Sequence, residues 1–457
     1  MSAQGWSRLV LSVLLAGLMV GGASAAEAPP KRISLAQAIA IALRSNRTLL
    51  AASYAQDAAQ ATVGVARGAM LPRLDAIENY SATDNPVLVF SDLLLQQDFS
   101  QSDFALSSLN HPGTLSNFQS QIQLSFPVYA GGRLLASFKA AKFGAEAATW
   151  RQARTREQIA FATIKAYFTA VLAEERVGVI ERARAAADAH LTQSRNLFAE
   201  GMAANADILR TEVLTGGLEE EDTDARSQMQ IAWAALAHVL GDENERLAPL
   251  PMAQSALGVG PTGSLDLAEL NRQAIASRPE MGIAAANVGQ AEQAVTIARA
   301  DYLPSVGVAT TYENDSEELV RAGNNYAVFV YARLNLFNGL ATKNKVDEAL
   351  AQLNRAKTLA EDLKHAIGLE VERAYRTLAA AQQNVSVAQR NYSYASAALK
   401  ILEDRYGAGL ATNVAVLDAQ TTRQRADMER IRAHIALAVD RAALELVVGR
   451  MPMANGQ

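Results

Sequence analysis

Proline sets the first limit on what this chain can fold into. Its prolines fall at 29, 30, 72, 86, 112, 127, 249, 251, 261, 279, 304 and 452, so residues 128–248 and 305–451 contain none. Proline inside a helix removes a hydrogen bond and clashes with the preceding turn, so only proline-free runs can hold long helices. Both runs are rich in alanine and other strong helix formers. Helices far longer than usual are expected in each.

The second run carries a strict seam. Ile367, Val371, Ala374, Leu378, Ala381, Val385, Ala388, Tyr392, Ala395, Leu399, Leu402 and Tyr406 follow steps of four and three, and all are apolar. That is coiled-coil periodicity. The positions 208 residues earlier are Ile159, Thr163, Ala166, Ala170, Ala173, Val177, Ile180, Arg184, Ala187, Leu191, Ser194 and Phe198, nine of them apolar. Alanine at many seam positions lets helices approach closely. A helix from about 133 to 199 spans roughly 100 Å at 1.5 Å per residue.

The same offset relates other stretches. LFAEGMAANADILRTE (Leu197–Glu212) aligns with RYGAGLATNVAVLDAQ (Arg405–Gln420), placing Gly201 on Gly409 and Asn205 on Asn413. PVYAGG aligns with NLFNGL, placing Gly131 on Gly339. Near the mature start, ISLAQAIAIALRSNRTLL resembles LDLAELNRQAIASRPEM at an offset of 232, and Leu71-Pro72 meets Leu303-Pro304. The change in offset leaves 24 extra residues in the first copy, between Pro72 and Tyr129. A repeat of this length governs the whole fold. Each copy reads as a helix of about 35 residues, two short alternating segments, a helix of nearly seventy, a glycine turn and a helix of about 35. The expected layout is a first repeat at 27–241, an equatorial loop at 242–264, a second repeat at 265–450 and a tail at 451–457. Helix 206–241 is expected to stack end to end on 265–300, and 413–447 on 34–68, so that paired half-length helices match the long ones.

The short segments alternate. In FQSQIQLSFPV, Phe118, Ile122, Leu124, Phe126 and Val128 oppose Gln119, Gln121, Gln123 and Ser125. In NYAVFVYARLNLF, Tyr326, Val328, Val330, Ala332, Leu334 and Leu336 oppose Asn325, Ala327, Phe329, Tyr331, Arg333 and Asn335. Period-two alternation over about ten residues reads as a strand, either of a bilayer barrel or of a half-buried soluble sheet. A bilayer barrel must be closed, and four strands are too few to enclose a lumen. Subunits would have to share it, and periodicity does not fix their number.

At the N-terminus, Arg8 precedes an apolar run from Leu9 to Val20 and the small residues Ala23-Ser24-Ala25. That pattern is a secretory signal, expected at residues 1–26. The chain has no cysteine, which excludes disulfides and thiol chemistry. A net charge of −5 gives no footprint for nucleic acid. No phosphate loop, nucleophile elbow or catalytic pair is evident, so no enzyme activity and no cofactor are expected. The histidines at 111, 190, 238, 365 and 434 show no metal-ligand spacing, and LEEEDTD (218–224) reads as a solvated helix face.

These parts, in this order behind a signal, resemble the TolC-like outer-membrane efflux protein family. The resemblance rests on the duplicated helix–Leu-Pro–strand–strand–Gly layout, on YAGGR and LFNGL opening the long helices, and on the two glycine turns. It implies a mainly α fold with a membrane β-barrel part. A homotrimer would form a 12-stranded barrel in outer-membrane lipid and a 12-helix periplasmic tunnel. It implies a passive exit duct of a tripartite efflux or type I secretion system, fed by an inner-membrane pump through a periplasmic adaptor. The alternative is a periplasmic coiled-coil adaptor without a pore. The turns would be the docking tip, with Gly201, Met202, Gly409 and Leu410 at the adaptor. Locally, Gly201 and Gly409 suit the left-handed residue that ends a helix, and Asn205 and Asn413 suit the N-caps of the returning helices. Asp418 matches a family position that lines the entrance with acid, although Ala415 stands where a second aspartate can occur. Gly216-Gly217 is read as a bend.

Overall fold

A helix as long as the seam demands needs partners along its whole length, and the chain supplies them in sequence order. The computed structural model describes residues 30–241, 247–252, 266–318 and 323–450. The signal segment, the tail and most of the 242–264 loop lie outside these. The chain opens with β1 (Lys31–Ile33), α1 (Leu35–Ser45), α2 (Arg47–Gly68) and β2 (Arg73–Thr83). An insert follows, with α3 (Pro86–Leu95) and α4 (Leu106–Asn110), then β3 (Leu115–Ala130). The first long helix, α5 (Arg133–Ala199), returns as α6 (Asn205–Leu240), and β4 (Leu247–Pro249) closes this half. The second half is α7 (Leu267–Ser277), α8 (Pro279–Arg299), β5 (Ser305–Ser316), β6 (Gly323–Arg333), α9 (Ala341–Gly407) and α10 (Asn413–Val447).

Helices α5 and α9 both have 67 residues, about 100 Å of rise. All twelve predicted seam positions of α9 are buried or half-buried. In α5 only Phe198, at the far end, is exposed. A second face of α5 is also covered, through Ile164, Tyr167, Phe168 and Val171. That face packs at the waist, where Ile33, Ala38, Ile39, Leu236, Leu240 and Leu247 meet it in the largest apolar cluster. The waist is pinned by polar contacts. β1 and β4 form a parallel pair, the Tyr167 hydroxyl donates to the Ile33 carbonyl, and Leu250 N–H donates back to that hydroxyl. Glu174 accepts from Arg32 and from the Trp233 indole.

Two expectations need correction. The helices of about 35 residues at 34–68 and 265–300 are each broken in two. Asn46 both ends α1 and caps α2, its Oδ1 accepting from Thr48 and Leu49 N–H. Arg278 occupies the matching break, because Pro279 drives the preceding residue out of the helical region. The end-to-end stacking is also exchanged. Asn46 Nδ2 donates to the Val239 carbonyl, and a Cβ on Gly241 would meet the Ser45 carbonyl at 2.5 Å, so α6 abuts α1–α2. Ser277 donates to the Val448 carbonyl and Gly449 abuts Ser277, so α10 abuts α7–α8. The expected order paired each half-length helix with one from the other half. The caps at Gly241 and Gly449 instead join each half to itself.

At the opposite end from the turns, β2, β3, β5 and β6 form one antiparallel sheet in that order, with a bulge in β3 between Pro127 and Tyr129. β6 stops at Arg333, so Leu334 to Leu336, expected within this strand, fall outside it. Gly131 and Gly132 turn the chain from β3 into α5 with φ +61° and +84°. At the corresponding turn into α9 the pair is Gly339 and Leu340, and Leu340 also takes a positive φ, +68°. Gly216 and Gly217, expected to mark a bend, lie inside α6, which continues through them as one helix.

At the α7–α8 break, the Arg278 guanidinium bonds both Glu280 carboxylate oxygens and Glu370, and Arg154 of α5 adds a contact to Glu280. Glu157 of α5 lies beside this group. Burial first, and then the charge of Glu280, pushes it up to about 7. Its proton is held in the folded protein through a range where the unfolded chain has lost it. Stability from this group is therefore present near pH 5 and falls as pH rises toward 7. Glu157→Gln is expected to melt higher than the wild type at pH 8, with the gap closing at pH 5; thermal melts across that range measure it.

Candidate functional site

Both predicted turns close in the same way. Gly201 and Gly409 each have φ +74°. Gly201 N–H bonds the Phe198 carbonyl and Met202 N–H the Leu197 carbonyl; Gly409 and Leu410 repeat this on Tyr406 and Arg405. This is the Schellman end of a helix, which requires the left-handed residue. A Cβ on either glycine would meet no atom within 4 Å. Met202 is 65% exposed and Leu410 77%. The two turns sit together, since Leu197 packs on the cluster of Leu399, Tyr406 and Val416.

The predicted N-caps are displaced by one residue. The caps are Ala204 and Thr412, and the Thr412 hydroxyl accepts from Ala415 N–H. Asn205 is exposed at the first helical position. Asn413, its counterpart, is buried and turned toward the other hairpin. Its Nδ2 donates to the Asp207 carbonyl at 2.9 Å, and its Oδ1 lies 2.6 Å from His190 Nε2. Because Nδ2 donates, Oδ1 accepts and Nε2 carries the proton. His190 also stacks on Tyr406, whose hydroxyl bonds Ser194.

Asn413 is the first of a series that the apolar seam did not reveal. Gln420 and Asp427 follow at seven-residue steps, and both are buried. Asp427 accepts from Arg430 on its own helix and from Arg182 of α5 at 3.2 Å. His434, one further step on, is held below its ordinary value by burial and then by the charge of Arg430. Polar side chains at one seam position of α10 thus tie it to α5. The heptad spacing of Asn413, Gln420 and Asp427 was the available signal. Asp418 is exposed on α10, off this face. The acidic run at 218–224 is a mostly exposed face, on which Glu219 pairs with Arg184 of α5 and Glu221 accepts from Gln424 of α10.

The sheet end is built in reverse of a sheet in water. Directly opposed residues of antiparallel strands share a face. One face holds the rows Leu74–Leu124–Thr310–Val328 and Ala76–Ile122–Tyr312–Tyr326, with Phe126–Val308–Val330 beside them. The other holds Asp75–Gln123–Thr311–Ala327, Ile77–Gln121–Glu313–Asn325 and Asn79–Gln119–Asp315–Gly323. The apolar face is the open one, with Leu74, Ile122, Tyr326 and Val330 all at least half exposed. The polar face is the more covered, and Asp315 is fully buried there. Such a face suits hydrocarbon, with tyrosines at the edge of the band. No helix among the described residues is long and apolar enough to cross a membrane.

The seam residues give a direct test. Asn413→Ala removes a buried donor and acceptor and leaves His190 Nε2 and the Asp207 carbonyl without their partner, a loss of about 1–3 kcal/mol. Asn205→Ala, at the exposed equivalent, is expected to change stability by less than about 0.5 kcal/mol. Denaturant unfolding of the two variants measures the difference.

The sequence matches the outer membrane efflux protein family over residues 38–242 and 270–450. Protein CyaE of Bordetella pertussis is 25% identical over 69% of this chain and 67% of its own length. The proteases secretion protein PrtF of Dickeya chrysanthemi is 21% identical over 90% of this chain and 86% of its own. The crystal structure of CusC superposes with a TM-score of 0.78 at 17% identity, covering 92% of this chain and 93% of that one. With the family match spanning both halves, long paired helices at one end and a sheet made for lipid at the other, this chain belongs to the outer membrane efflux protein family.

Proposed function

We propose that three copies of the chain close one 12-stranded barrel in outer-membrane lipid and one 12-helix tunnel beneath it. Residues 27–241 and 265–450 are then two structural repeats of one ancestral unit, joined by the 242–264 loop at the waist. The equal lengths of α5 and α9 support this. The observation that carries the reading is the open sheet. β2 and β6 each pair on one side only, while the apolar face is exposed. Unpaired strand edges are not tolerated in hydrocarbon, so each β2 needs the β6 of a neighbouring copy. Four strands must be multiplied to enclose a lumen, and three copies give twelve.

The function follows from that geometry. The protein is the outer-membrane efflux conduit itself. It conducts passively what an inner-membrane pump delivers through a periplasmic adaptor. The paired turns, with Gly201, Met202, Gly409 and Leu410, are the surface on which the adaptor docks. Exposed Met202 and Leu410 beside two rigid glycine ends offer apolar knobs for a helical tip. Asp418 contributes one acidic ring at the entrance, and Ala415 leaves no second. The similarity to PrtF, a proteases secretion protein, supports polypeptide export as one duty of the duct. A poreless periplasmic stalk does not fit membership of this family.

Two experiments test the reading. The mature chain is expected in the outer-membrane fraction and to cross-link as a trimer; a monodisperse soluble monomer would sink the assembly. The turns are tested by Gly201→Val with Gly409→Val. Each valine is strained in the left-handed region by about 1–2 kcal/mol, with open space for its side chain, so assembly is expected to survive. Export and adaptor cross-linking are expected to fall, while Glu220→Ala on the shaft changes neither. Normal export by the double variant at normal abundance would reduce the turns to connectors.

A further inference from the structure

The 24 extra residues of the first half form a body with a defined seat. Asn85 caps α3 by accepting from Val87 and Leu88 N–H, and Pro86 fills the first helical position. Phe99 stacks edge-on against both Phe90 and Phe104, at 5.0 Å each. Val89 of α3 is buried. The segment is thus a preformed wedge.

Its seat is the polar face of the sheet, at the strand ends farthest from the helices. The Leu95 carbonyl accepts from Asn325 Nδ2 at 3.0 Å. Gln96 Nε2 donates to the Ser116 carbonyl and to Asn117 Oδ1, both at 3.0 Å. Asn117 in turn donates to Asp315 Oδ1 at 2.8 Å. Gln97, held at φ +56°, donates to the Asn324 carbonyl. Asn117, Asp315, Asn325 and Gly323 all belong to the polar face. At Gly323 any Cβ would land on the Leu95 carbonyl, so α3 approaches as closely as a bare backbone permits.

We propose that this insert is a plug seated across the outer mouth of the barrel, shutting the exit at rest and deciding what can leave. The proposal rests on the trimeric barrel above. Twelve strands spaced about 4.8 Å apart and tilted about 40° give a backbone radius of about 12 Å. Inward side chains reduce the free radius further. A helix with its side chains is about 10 Å across, and three side by side need a circle of about 11 Å radius, so one from each of three subunits covers the mouth at its rim instead of descending the lumen. Three wedges also give the exposed Val87, Leu88 and Leu94 a place to meet near the axis, away from water. The seat is releasable. Asp315 is buried with its Oδ2 lacking a partner among the described residues. Asp92 of α3 faces it, and burial together with that charge raises Asp92 above its ordinary value. Cargo moving outward therefore displaces a wedge held by about four side-chain hydrogen bonds and opposed by like charge.

The chain lacks cysteine, so single thiols report access from outside the cell. Gln121 lies on the polar face, below the seat. In whole cells, Gln121→Cys is expected to react slowly with a bulky membrane-impermeant maleimide–polyethylene glycol. Adding Gly323→Val, which evicts α3, or replacing residues 85–114 by a short Gly-Ser turn, is expected to speed labelling at least roughly tenfold, as the open fraction rises. Trimer bands on gels confirm assembly of each variant. Equal labelling of Gln121→Cys with and without the seated insert overturns the plug while leaving the barrel standing. Ser107→Cys, on the exposed insert, is expected to label in whole cells; labelling there only after lysis reverses the topology and removes barrel and plug together.

Discussion

Everything in this structure hangs on the seven-residue spacing of small and apolar side chains along two helices of 67 residues. An isolated helix of that length has no reason to stay in one place. Its stability comes from burying a stripe against partners, and the stripe must keep facing them over about 100 Å. The strict four–three stepping in α9 meets that need, with Ile367, Val371, Leu378 and Ala381 buried in one cluster and Leu399 and Tyr406 in another. α5 does more. It carries α6 on one stretch, α1, α2 and α8 on another, and therefore buries Tyr167 and Phe168 on a second face that α9 lacks.

The long helices also separate two environments that one chain must satisfy at once. At one end the sheet turns its apolar rows outward and its amides and carboxylates inward. At the other end the backbone turns back twice through left-handed glycines, each followed by an exposed apolar side chain, Met202 or Leu410. Hydrophobic burial in water explains the shaft, and partition into hydrocarbon explains the sheet. No single rule of apolar-inside folding covers both.

Much of this was legible from residues alone, and the misses have physical causes. The bounds of α5 and α10, the four strands and the glycine geometry at the turns followed from proline exclusion, period-two alternation and the needs of a helix end. The helix breaks at Asn46 and Arg278 were visible in principle, since Pro279 forbids a continuous helix and SNRTLL offers an N-cap. Similarity between the two stretches encouraged reading them as unbroken. The stacking order was not legible, because it depends on where Gly241 and Gly449 send the chain at the waist. At the tip, Gly201, Met202, Gly409 and Leu410 could be named, but the N-cap role given to Asn413 hid its real position.

That position shows how the tip is held. A seam made only of alanine and leucine permits helices to slide, because every small step meets a similar surface. Asn413, Gln420 and Asp427 interrupt the α10 seam once per heptad. Each polar layer costs desolvation, and those of Asn413 and Asp427 are satisfied only where a partner on α5 lies opposite. His190 answers Asn413, and Arg182 answers Asp427. Gln420 has no hydrogen-bond partner for either side-chain atom among the described residues, so its layer adds cost without a matching gain. A slip of one turn would strand both partnered layers. The register between the two hairpins is therefore fixed by polar groups within an apolar seam. The two glycine turns, 208 residues apart in sequence, are thereby held at the same end of the shaft.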